Sequence, residues 1–123
     1  MSGHEQLEQQ IGLMVAQGRY QEAQLALEAQ VRDHPRCAQS HYLLGCLHQV
    51  RGHFADAVAE FRRAVFIDPS KPYYLFNLAA ALHRTGHLTE ALKFAAEAAR
   101  RDPQNEQANR MVELLSQPGA TLR

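Results

Sequence analysis

The chain has no tryptophan, only two cysteines and no net charge. Each absence removes a class of protein. Thirteen Lys and Arg residues balance thirteen Asp and Glu, so no global field draws nucleic acid or an anionic membrane surface. No apolar run approaches the roughly 20 residues of a membrane-spanning helix, so no membrane partner is expected. The first ten residues, MSGHEQLEQQ, carry neither the basic start nor the apolar run of a secretory signal. Cys37 and Cys46, placed on one helix, stand about 13 Å apart along its axis, too far for a bridge. They read as reduced thiols, which with the missing signal points to the cytoplasm.

Catalytic motifs are missing as well. There is no G-x-S-x-G, no Walker loop, and no strand to carry a G-x-G-x-x-G. His4-Glu5 opens like H-E-x-x-H, but the closing position is Glu8. Asp33-His34 and His83-Arg84 are local pairs at helix ends, where such charges cap and solvate. No enzyme and no cofactor are expected. Among the seven histidines, His34, Cys37 and His41 have spacings that place three ligands near one helix start. Pro35 interrupts that segment and His41 falls on a buried stripe, so no metal site is expected. Arg62-Arg63 and Arg100-Arg101 lack interleaved aromatics and read as a solvated outer face.

What the chain has is repetition at one period. Gly18, Gly52 and Gly86 are 34 residues apart, as are Pro35, Pro69 and Pro103, and Ala23, Ala57 and Ala91. Tyr20, Phe54 and Leu88 follow the same spacing, as do Leu7/His41/Leu75, Ile11/Gly45/Ala79 and Met14/His48/Leu82. Each unit reads as a helix, a glycine turn, a second helix and a proline stop. Glycine accepts the positive φ that ends the first helix. Small residues at Ala57, Ala64, Ala91 and Ala98 let paired helices interlock. Proline lacks the donor a helix interior needs. A final stretch with Ala108, Met111, Val112 and Leu115 on one side reads as a helix covering the last unit.

Residues 41–69 carry a resemblance. His41, Leu44-Gly45, His48, Ala57, Phe61 and Pro69 fall at the offsets of W-x₂-L-G-x₂-Y…A-x₃-F…P, with histidine at both first-helix aromatic positions. The chain resembles the tetratricopeptide-repeat family over about residues 4–105. The expected organisation is a single domain, with repeats at about 4–37, 38–71 and 72–105, a capping helix at about 105–116 and a mobile tail at 117–123.

The resemblance implies an all-α right-handed superhelix of three helix-turn-helix repeats plus the cap. It further implies a non-catalytic interaction module, an adaptor or chaperone, that holds a protein or peptide segment by apolar anchors in its concave groove. A second stripe on the first helices marks that groove: Tyr42, Cys46 and Gln49, then Tyr73, Phe76, Asn77, Ala80, His83 and Arg84. Tyr42 and Phe76 are expected as a free aromatic pair. Relatives that clamp a carboxy-terminal carboxylate use lysine, asparagine and arginine in the groove. The matching residues here are Glu8, Gln9, Gly12, Tyr42, Tyr73 and Asn77, and only Asn77 fits. The run KPYYLFNLAAALHRTGHLTEA is similar to the third repeat of type III secretion translocator chaperones, which gives an alternative function. Another is a self-assembling scaffold, a homo-oligomer stacked end to end through Leu114, Leu115 and the first helix.

Overall fold

The computed structural model describes residues 2–117. Of the expected tail, all but Gln117 lies outside the described residues. The seven described helices are α1 (Gly3–Ala16), α2 (Tyr20–Asp33), α3 (Ala38–Val50), α4 (Phe54–Ile67), α5 (Pro72–Arg84), α6 (Leu88–Arg101) and α7 (Glu106–Ser116). There are no strands among them. The pairs α1–α2, α3–α4 and α5–α6 stack in order into the superhelix of a repeat protein, and α7 covers α6. No described helix is long and apolar enough to cross a membrane.

The same turn is built three times. Gly18, Gly52 and Gly86 have φ of 73°, 78° and 83°, a region that only glycine enters cheaply. Each glycine amide donates to the carbonyl three residues back. The next amide donates five back: Arg19 to Met14, His53 to His48 and His87 to Leu82, at 2.8–2.9 Å. Both bonds together make a Schellman turn, which satisfies the last carbonyls of the first helix. The far ends repeat too. His34, Asp68 and Asp102 cap the second helices with extended φ near −135°, because the following proline excludes the helical region.

Packing follows the small residues. Ala23, Ala57, Ala64, Ala91 and Ala98 are fully buried, as the spacing predicts. Gly45 meets Phe61 where α3 crosses α4, and the equivalent positions one period away hold Ile11/Leu27 and Ala79/Ala95, all buried. Gly45 is required by its partner: a Cβ there would stand 2.6 Å from Cε1 of the Phe61 ring.

Leu115 is only 1% exposed and packs with Leu78, Leu82 and Ala91, so it belongs to the core. It is not available for end-to-end stacking. Of the two leucines in that expectation, only Leu114 faces solvent.

Candidate functional site

The first helices α1, α3 and α5 line up side by side, with two seams between them. Residue 42 sits at the second seam. The Tyr42 ring meets Tyr73 edge-on at 5.3 Å, Tyr74 at 4.8 Å and Phe61 at 5.8 Å. Its hydroxyl accepts from Asn77 Nδ2 at 3.3 Å, and the same amide donates to the Tyr73 carbonyl at 2.7 Å. Burial is the main cause that pushes the Tyr42 hydroxyl far above the usual phenol range. Phe76, one period later, packs with Leu75, Ala98 and Ala108 on the α7 side. The expected free aromatic pair is therefore not free. Tyr42 fills the second seam from within, and Phe76 packs on the far side of α5, toward Ala98 of α6 and Ala108 of α7.

The other expected groove residues divide. Tyr73 is the exposed ring, at 47%. Cys46, Gln49, Ala80 and His83 are half-buried along α3 and α5. Arg84 stacks its guanidinium over the Phe54 ring at 4.6 Å, so α4 engages it rather than the first-helix face.

The first seam is different. The position that holds Tyr42 and Phe76 in later repeats holds Glu8 here, and the position of Cys46 and Ala80 holds Gly12. No aromatic ring fills the gap. A trough of about 190 Å³ remains, lined by Glu8, Ile11, Gly12, Val15, Leu43, Cys46, Leu47 and Val50. A Cβ at Gly12 meets nothing within 4 Å. Glu8 stands at the edge of the trough and accepts from Gln39 at 3.2 Å. Burial, opposed by the Tyr42 hydroxyl, pushes the Cys46 thiol up to about 11, so it lines the trough as a neutral apolar group. The trough was legible only as two small departures from the repeat, at Glu8 and Gly12.

Two further features were not anticipated. His41 is buried, as its stripe position implies, but so is Glu60 on α4. The His41 Nε2–H donates to the Pro35 carbonyl at 3.0 Å, while Nδ1 lies 3.2 Å from Glu60 Oε2, within hydrogen-bond distance. Glu60 Oε1 accepts from Arg63 at 2.5 Å. The signal was a paired departure: His41 replaces Leu7 and Leu75, and Glu60 replaces Ala26 and Phe94. His41 is thus spoken for and does not join His34 and Cys37, and Cys37 Sγ lies 3.8 Å from His4 Nε2 instead. Above the pair lies a cleft of about 620 Å³ lined by Pro35, Arg36, Arg62, Arg63, Phe66 and Ile67, with Phe66 88% exposed. Sequence reasoning read this face only as solvated arginine.

A family model described as Tetratricopeptide repeat matches residues 14–72 and 42–106. The TPR repeat-containing thioredoxin TTL4 of Arabidopsis thaliana is 40% identical over 65 residues, covering 53% of this chain and 10% of that protein. The probable biofilm formation methyltransferase WspC of Pseudomonas putida is 30% identical over 89 residues, 72% of this chain and 21% of that protein. The chain thus spans between a tenth and about a fifth of the length of these relatives. Among solved structures, the type III secretion chaperone SycD of Yersinia enterocolitica, in complex with a peptide of the translocator YopD, superposes with a TM-score of 0.80. It is 20% identical and covers 90% of both chains, a likeness of fold.

Proposed function

The chain belongs to the tetratricopeptide-repeat family, and on that premise we propose that it is a non-catalytic cytoplasmic module holding an apolar segment of a partner protein. The segment lies across the first-helix face. Its anchor enters the trough between α1 and α3, and it runs on past Cys46, Gln49 and Tyr73 toward Asn77, Ala80 and His83. The observation that carries this reading is the unfilled seam at Gly12. Ile11, Val15, Leu43 and Val50 flank a gap that an aliphatic or aromatic side chain would occupy, removing apolar surface from water.

The reading predicts a separation of stability from binding. Gly12→Leu fills the trough and improves helix propensity, so the melting temperature should hold or rise. Affinity for a partner peptide should fall by about 1–2 kcal/mol or more, as at an interface hot spot. The peptide is first mapped from a partner captured by the wild-type chain, then titrated by calorimetry. Phe66→Ser on the outer cleft is the contrasting variant and should bind normally. If Gly12→Leu binds like wild type while Phe66→Ser does not, the binding face is the outer cleft and the groove reading is wrong.

A second reading, a chaperone for a secreted hydrophobic partner, is favoured by the match to SycD with its bound peptide over nine-tenths of both chains. It uses the same face. Co-expression that keeps such a partner soluble, lost in Gly12→Leu, is the outcome that supports it.

A further inference from the structure

The three glycine turns place three equivalent side chains together: the third-last residue of the first helix, the cap of the second helix and its third residue. In the first repeat these are Met14, Arg19 and Glu22; in the third they are Leu82, His87 and Glu90. Both sets are satisfied within the protein. Arg19 pairs with Glu22 at 2.5 Å, His87 Nδ1 meets the Thr85 hydroxyl at 2.8 Å, and Glu90 pairs with Arg62 at 2.9 Å. Met14 packs half-buried against the core and Leu82 lies within it.

The central turn is the exception. There the three positions hold His48, His53 and Asp56. One ligand atom from each lies within 4.8 Å of the others. His48 Nδ1 is buried and has no hydrogen-bond partner among the described residues. Such an atom needs an explanation, because buried polar groups are almost always paired. The Schellman turn fixes the relative placement, since the His53 amide donates to the His48 carbonyl at 2.8 Å.

We propose that His48, His53 and Asp56 bind one borderline divalent transition-metal ion, of which zinc is the working probe. Two imidazoles and a carboxylate suit zinc, nickel or copper and leave a position for water. Zinc bonds of about 2.0–2.2 Å set tetrahedral ligand atoms about 3.3 Å apart, so closure from within 4.8 Å needs shifts of at most about 1.5 Å. His53 and Asp56 are exposed and free to make it. His53 caps α4, whose amino-terminal pole is positive, and Asp56 supplies the negative charge a cation requires there. The ion clips the last turn of α3 to the first turn of α4, and binding the folded chain alone makes it stabilising.

The test is calorimetry and thermal melting of the full chain with zinc chloride. One zinc per chain and a raised melting temperature are expected. His48→Leu reproduces the Leu82 of the third repeat and so should fold. It should bind zinc at least about tenfold more weakly, as should His53→Ala and Asp56→Asn. Magnesium should do nothing, because it selects oxygen ligands. Cys37→Ser controls for the His4–Cys37 contact and should bind like wild type. Absence of zinc binding, wild-type affinity in His48→Leu, or loss in Cys37→Ser would each overturn the proposal.

Discussion

The two ends of this molecule share a repeat and differ in how they close. Helix α5 buries Tyr74, Leu75, Leu78, Ala79, Ala81 and Leu82, whereas α1 buries only Ile11. On α5 and α6 the positions equivalent to Gly45 and Phe61 hold the small, buried Ala79 and Ala95, which allow helices to meet closely. On α1 and α2 the same positions hold the bulkier Ile11 and Leu27, both buried in one cluster. Tyr42 fills the second seam and Phe76 packs beyond it against Leu75, Ala98 and Ala108, while the first seam stays open beside Gly12. The lesson is that one template can be tuned for support at one end and for access at the other. The substitutions that matter are those at helix crossings and seams.

The largest expected effect tests the supporting half. Phe61 fills the space above Gly45 and is fully buried, so Phe61→Ala should cost about 3–5 kcal/mol in denaturant unfolding. Leu7→Ala, at the half-buried open end, should cost clearly less. Equal losses would erase the contrast.

A sharper comparison makes one chemical change at two glycines. Gly45→Ala drives a methyl group into the Phe61 ring, 2.6–2.7 Å from its nearest carbons, and should destabilise by about 1–3 kcal/mol. Gly12→Ala meets open space on a helix and should stabilise by about 0.5–1 kcal/mol. Opposite signs in paired thermal melts support the difference between the ends. Matching signs would contradict it.

The smallest effect is alkaline. Burial raises the Cys46 thiol from an ordinary 9.0 to about 11 in the folded chain. A raised folded value means the proton is held more tightly in the native state. Its contribution to stability is complete below pH 9 and is lost as pH climbs through about 11. Melting temperature should therefore fall across that window, and Cys46→Ala should flatten the fall. The tyrosines 42 and 74, also raised mainly by burial, act in the same direction above pH 10.

Much of this was legible in the residues. The glycines at 18, 52 and 86 announced left-handed turns, and the prolines at 35, 69 and 103 announced helix ends. Ala57 and its periodic partners announced the crossings. The site was less legible. Tyr42 and Phe76 looked exposed because a stripe on one helix does not say which neighbour covers it. Leu115 looked like a sticky end for the same reason, and Phe66 was overlooked beside its arginines. The buried His41–Glu60 pair needed two departures, 19 residues apart, to be read as one event.

By itself the sequence determined seven helices, three equivalent turns and their order, because those depend on backbone rules acting over a few residues. Only the tertiary structure decided which seam is filled and which is open. That outcome depends on side chains such as Tyr42 and Tyr74, 32 residues apart, competing for the same space between two helices. Glu8 and Gly12 leave that space empty one repeat earlier. Volume shared across a helix seam is a property of the packed pair, and neither helix carries it alone.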